Sequence, residues 1–180
     1  MDRSPATFLA LLVGGVLLVG YFVQKKTHPD GGPTTDPAVL ASDFARVETA
    51  ITAAKGKVVL IDCWATWCGP CVSSFPKLVE KSEKYGPQGL VVVTVNLNDA
   101  DEADEVKEFL KQQRATFTNI QLKRDEASFK GLKKRLDYGG GIPHAALFDR
   151  SGARVWTGHP EDPALESRLQ EELAKPAPAP

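Results

Sequence analysis

Cys68 and Cys71 stand two residues apart in the stretch Trp67-Cys68-Gly69-Pro70-Cys71. An apolar run, Val58-Val59-Leu60-Ile61, precedes them, and a helical pattern begins directly behind them. Strand, CxxC, helix is the order that dithiol–disulfide exchange needs. The first cysteine then sits at a helix N-terminus, where unpaired N–H groups and the helix dipole stabilise a thiolate. The second lies one turn further in, within reach of a mixed disulfide made by the first. The thiolate is the reacting form, so a pKa lowered towards ambient pH promotes exchange.

A CxxC pair also occurs as half of a zinc site, which takes about four ligands. Cys63 is the only further cysteine, and His28, His144 and His159 show no ligand spacing to one another. The pair therefore reads as redox-active, with no metal and no cofactor expected.

The stretch Asp62-Cys63-Trp64-Ala65-Thr66-Trp67-Cys68-Gly69-Pro70-Cys71 resembles the active site of the thioredoxin superfamily. With Ser74-Phe75-Pro76-Lys77-Leu78 behind it, it is most similar to the membrane-tethered TlpA/ResA-type thiol–disulfide oxidoreductases. The similarity runs over residues 39–175, and Cys63 stands where that family commonly has Phe. The resemblance implies a redox-active Cys68–Cys71 disulfide, with Cys68 attacking a partner and Cys71 resolving the mixed disulfide. Trp67, Gly69 and Pro70 would touch the substrate. Asp62 would be a buried carboxyl beneath Cys71, its pKa raised by desolvation, passing a proton to or from that thiol. The residues alone leave a solvated strand end as the other reading of Asp62.

A second informative stretch is Tyr138-Gly139-Gly140-Gly141-Ile142-Pro143. Three glycines suit an unusual backbone path. Proline fits the first position of a strand, so Pro143 opens one over 145–148. By itself this is a plain trans-proline turn; the resemblance implies instead a cis-proline facing the CxxC. It would bring the Ile142 backbone beside Cys68, where a substrate strand could pair with it. His144 follows, where thioredoxin relatives usually carry Thr. Two readings stay open. The ring approaches the dithiol and its cation stabilises the Cys68 thiolate, or strand alternation turns it away.

The elements that must hold these residues follow from periodicity. Phe44, Val47, Ala50, Ile51 and Ala54 recur at helical spacing, with Ser42 as a cap and Gly56 as a stop. Residues 57–63 form a buried strand. A helix over 69–85 carries Pro76 in its interior and ends at Gly86-Pro87. The β-branched run at 90–95 suits a central strand buried on both faces. Acids at 101–105 open a helix whose Lys107, Lys111 and Arg114 come later, matching the dipole. A short strand over 116–122, a helix marked by Phe129, Leu132 and Leu136, and a hairpin turning at Asp149-Arg150-Ser151-Gly152 follow. Asp162 and Pro163 open a last helix. The fold class is α/β: a thioredoxin-like mixed central sheet with helices on both faces. Residues 96–136 resemble the extra βα insertion of the TlpA/ResA group, and no N-terminal β-hairpin is evident.

Residues 7–23 are apolar and uncharged. As a helix they would span about 25 Å, the short end for a bilayer core. Tyr21 would sit at the interface and Lys25-Lys26 among headgroups. The run is long for a signal peptide, and no small-x-small site follows it, so it reads as an uncleaved single transmembrane anchor. Flanking charges do not orient it; the resemblance places the domain outside the cytoplasm, on the periplasmic side. The organisation is then a flank at 1–6, the anchor at 7–23 and a flexible linker at 24–38. The thioredoxin-like domain at 39–175 and a disordered tail at 176–180 complete it.

A net charge of −1 gives no pull towards nucleic acid. Three functions fit. The first is a membrane-anchored reductase of disulfides in extracytoplasmic proteins, served by a membrane electron donor. Family members commonly act in cytochrome c maturation. The second is a disulfide-forming oxidase running the same residues in reverse. The third is a non-enzymatic copper carrier using Cys68, Cys71 and His144.

Overall fold

A computed structural model of the protein describes residues 39–177. The expected anchor at 7–23 and linker at 24–38 lie outside the described residues. Within them no helix is long and apolar enough to cross a membrane.

The chain begins with β1 (Val39–Ser42), α1 (Phe44–Ala53), β2 (Val58–Trp64) and α2 (Gly69–Tyr85). β3 (Leu90–Asn96), α3 (Ala103–Gln112), β4 (Thr118–Leu122) and α4 (Glu126–Leu136) follow. β5 (His144–Phe148), β6 (Arg154–Gly158) and α5 (Pro163–Ala174) complete it. The strands form one sheet in the order β1-β4-β3-β2-β5-β6. β1, β4, β3 and β2 run parallel; β5 and β6 join antiparallel. This is the expected mixed α/β sheet.

β1 is absent from the sequence reading. Its four residues are too few to show alternation, and Ser42 looks like a helix cap. In fact Ser42 ends β1, and Asp43 caps α1 by accepting the Ala45 N–H at 3.1 Å. In the glycine run only Gly140 has a positive φ, +99°. Pro76 does lie inside α2; lacking an N–H, it leaves the Val72 carbonyl without its usual helical donor.

All seven residues of β2 are buried, because helices cover both faces of the sheet. Alternation divides its side chains between two cores. Leu60 and Trp64 join α2, α3 and α5 through Phe75, Val106, Leu110, Leu165 and Leu169. Ile61 and Cys63 join α1 and α4 through Val47, Ile51, Leu132 and Leu136. The cysteine pair belongs to the first core.

Candidate active site

β2 ends at Trp64, and a short loop carries the chain into α2. That loop is held from the exit of β3. The Thr66 N–H donates to Asn98 Oδ1 at 2.9 Å, and Asn98 Nδ2 donates to Thr66 Oγ1 at 2.7 Å. Asn96 fixes Asn98 in turn, its Nδ2 donating to Asn98 Oδ1 at 2.8 Å. The only local signal of this clamp in the sequence is the polar run Asn96-Leu97-Asn98-Asp99 leaving an apolar strand.

Cys68 is the N-cap of α2 and forms a disulfide with Cys71. The Cys71 N–H donates to Cys68 Sγ at 3.3 Å. In the reduced protein the same N–H faces a Cys68 thiolate, so the helix start supplies both a hydrogen bond and its dipole to the charged sulfur. Both cysteines are buried, Cys68 at 7% exposed and Cys71 at 2%. Gly69 and Pro70 between them are exposed. Trp67, immediately before Cys68, is 57% exposed and is the one large hydrophobic side chain so displayed among the described residues. Beneath the pair Trp64, Phe75 and Phe109 pack ring against ring, with centroids 4.7–5.0 Å apart. That rigid floor fixes where the loop and the first turn of α2 sit.

Asp62 points to the same face as Trp64, two residues back along β2. It is buried, and among the described residues its Oδ1 has no hydrogen-bond partner. Desolvation pushes its carboxyl pKa from 3.8 up to about 8. The expectation of a buried, raised-pKa carboxyl therefore holds, and the solvated strand end does not. Asp62 also lines a cleft of about 470 Å³ between α2 and the start of α5, together with Ser74, Lys77, Lys81, Glu161 and Glu166.

The Ile142–Pro143 peptide is cis. β5 starts at the next residue, and His144 pairs with Cys63 in the antiparallel register. Pro143 is thereby set opposite the end of β2, where the chain leaves for Cys68. Ile142 is half-buried and packs against both cores.

Of the two readings of His144, the ring position matches the one in which strand alternation turns it away. Its register partner Cys63 lies on the α1/α4 face, and the ring follows that face. Nε2 lies 2.9 Å from the Leu136 carbonyl oxygen and 3.2 Å from Thr157 Oγ1. Tyr138 meets the ring edge-on at 5.5 Å. Strand alternation thus turns the His144 ring towards the core on the sheet face opposite the dithiol. Cys63 is wholly buried in that same core. Burial, then the nearby Asp62 carboxylate, pushes its thiol pKa well up.

Comparison with known proteins points the same way. Residues 29–173 match the family described as Redoxin. The chain is similar to the thiol:disulfide interchange protein HelX of Rhodobacter capsulatus, at 30% identity over 83% of each chain. It is similar to the thiol-disulfide oxidoreductase ResA of Bacillus anthracis, at 32% identity over 79% of this chain and 77% of that protein. Among solved structures, a Chlorobium tepidum protein provisionally assigned as the thiol:disulfide interchange protein DsbE superposes with a TM-score of 0.56 at 33% identity. The match covers 69% of this chain and 85% of that one.

Proposed function

The chain belongs to the Redoxin family, as a TlpA/ResA-type member of the thioredoxin superfamily, and we propose that it reduces disulfides in extracytoplasmic proteins. It is a thiol–disulfide oxidoreductase. The observation that carries the proposal is the Cys68–Cys71 pair at the start of α2, on the same sheet face as the buried Asp62 carboxyl.

In the reductive direction the Cys68 thiolate attacks one sulfur of the partner disulfide. A mixed disulfide forms and the other partner sulfur leaves as thiolate. Cys71 then loses its proton and attacks Cys68 Sγ, releasing the second partner sulfur and forming the intramolecular disulfide. The proton from Cys71 goes to the Asp62 carboxylate, directly or through water, and from there to solvent. With a pKa of about 8, Asp62 is present in both forms near neutrality, so it can accept that proton or return it when the direction reverses. Exposed Trp67, with Gly69 and Pro70, would take the apolar side of the substrate chain. The Ile142 backbone would pair with its main chain.

The apolar residues 7–23 support the remaining part of the reading: a membrane anchor, with residues 24–38 as a tether and the domain on the periplasmic side. A membrane protein would then re-reduce the pair. Apocytochrome c is the first substrate to try. Equilibrating the pair with a redox buffer tests the direction. A potential near about −270 mV marks a reductant, and one near about −120 mV would make the protein an oxidase. Cys71→Ser should hold partners as mixed disulfides that can be identified. Alkaline extraction of membranes tests the anchor, which fails if the full chain is released into the soluble fraction.

A further inference from the structure

The cleft above Asp62 is walled by charges of both signs. α2 contributes Lys77 and Lys81; the approach to α5 and its first turn contribute Glu161, Asp162 and Glu166. Each lysine is tied to a glutamate on the opposite wall. Lys77 pairs with Glu161 at the open rim. Lys81 Nζ lies 2.9 Å from Glu166 Oε2, and this pair is more enclosed, with side chains 24% and 35% exposed. Glu166 is itself held in place. The Tyr85 hydroxyl donates to it, and Gln170 Nε2 donates to Oε1 at 3.2 Å. Burial alone would raise the Glu166 pKa, but the Tyr85 and Lys81 bonds outweigh it and hold the value to about 2. Glu166 is therefore an anion throughout the working range.

The other groups around Asp62 add no charge. Its register partners are Thr94 on β3 and Ala145 on β5, and besides the two lysines α2 contributes Ser74 and Leu78 to the cleft. Cys63, its neighbour in β2, lies on the other face of the sheet. Asp162 spends its carboxylate on the Ala164 N–H, 2.8 Å away, as the cap of α5. The mobile charge in the cleft is thus a lysine on a long stem, and Asp62 offers it a carboxyl oxygen without a partner.

We propose that Glu166 is a positioning residue for the proton step at Asp62: by binding Lys81 it withholds from Asp62 a cation that would otherwise ionise and pair with it. The proposal rests on the reading that Asp62 exchanges a proton with Cys71. A lysine charge released inside a poorly solvated cleft acts strongly on a buried carboxyl. It would favour the carboxylate, and a carboxylate locked to lysine is a poor partner for a thiol proton. Glu166 cancels that charge where it stands. Lys84, 3.8 Å from Glu166, is a second cation that the same carboxylate holds at the surface.

The test is a direct titration of the Asp62 carboxyl carbon by NMR in the oxidised full-length protein. Four forms are compared: wild type, Glu166→Gln, Lys81→Met and the double variant. Glu166→Gln should move the Asp62 midpoint down and Lys81→Met should move it up. Each should change the ratio of ionised to protonated Asp62 at pH 7 by about threefold or more. The double variant should return close to wild type. A pair that merely fastens α5 to α2 would change stability and leave the Asp62 titration in place, and that result overturns the proposal. So do shifts of the same sign in both single variants. If Glu166→Gln does not fold, Lys81→Met decides alone: an unmoved midpoint defeats the idea. A separate arm guards the underlying reading. If Asp62→Asn reduces a model disulfide with the pH profile of wild type, Asp62 has no proton role, whatever the titrations show about its neighbours.

Discussion

Asp62 and Cys63 are neighbours on one strand, both buried, and burial favours the protonated form of each. They differ in which face of the sheet they meet. Asp62 faces α2 and α5, where a cleft reaches it and Cys71 shares its core. Cys63 faces α1 and α4, packed among Val47, Ile51 and Leu136. A raised pKa is therefore not what distinguishes the working group. It becomes chemistry only where a second reactive atom and a way out for the proton lie on the same face. The period of two in a strand makes that division between adjacent residues.

The sharpest way to break the comparison is to remove one sulfur from each face. Cys68→Ser should lower protein-disulfide reduction by about three orders of magnitude or more, because it removes the thiol that caps α2 and leaves only the more deeply buried Cys71. Cys63→Ser, if folded, should reduce substrate at the wild-type rate. A reductase assay on the two variants decides it; loss of activity in a folded Cys63→Ser protein would end the distinction between the faces.

Asp62→Asn comes next. It should slow the step that forms the Cys68–Cys71 disulfide by about 10²-fold near neutral pH and flatten its pH dependence. Rapid-mixing kinetics of mixed-disulfide resolution would show this. Stability should move the other way. The folded pKa of about 8 exceeds the ordinary value of 3.8, so between those limits the native state binds a proton that the unfolded chain releases. Stability from this group is whole below about pH 4, falls as pH rises from there through 8, and levels off above that at its full penalty. Asp62→Asn should therefore be more stable than wild type at pH 9, by about 2–5 kcal/mol, and no more stable at pH 4. Urea melts at the two pH values test the sign.

Much of this was legible in the sequence because it is carried by local signals. The CxxC behind an apolar run placed Cys68 at the start of α2, and the run 90–95 placed β3. Asp162 followed by Pro163 placed α5. What escaped depends on contacts between distant residues. β1 is defined by its pairing with β4, and its own four residues carry no pattern. The Asn98 clamp on Thr66 joins positions 32 apart, and the Lys81–Glu166 pair joins α2 to α5. His144 was undecided because a strand start leaves open which face the first residue takes. Register with Cys63 settles it.

A smaller effect belongs to the volume of Cys63. Cys63→Ala leaves a cavity the size of one sulfur in a closed core and should cost about 1–2 kcal/mol. In wild type the thiol should resist an uncharged reagent until the chain unfolds, whereas reduced Cys68 reacts at once. Rapid modification of Cys63 in the folded protein would show that the α1/α4 face is open after all.

The smallest expected effect is the most searching test of the two-face argument, because it concerns a residue next in sequence to Pro143. The His144 ring bridges β5 to the last turn of α4 through the Leu136 carbonyl. In that contact Nε2 carries the proton and donates. Replacing it with Thr removes one hydrogen bond and the edge contact with Tyr138. The carbonyl is not orphaned, since the Thr157 hydroxyl also donates to it at 3.0 Å. The loss should therefore be about 1 kcal/mol or less, a small fall in the urea midpoint. Titrated by thiolate absorbance, Cys68 should behave alike in wild type and His144→Thr, and the reduction potential should stay put. The sheet lies between this imidazole and the dithiol, and the ring is already committed to Leu136 and Thr157. If the potential shifts while the fold is intact, charge on one face does reach the other, and sequence adjacency to Pro143 would outweigh strand alternation.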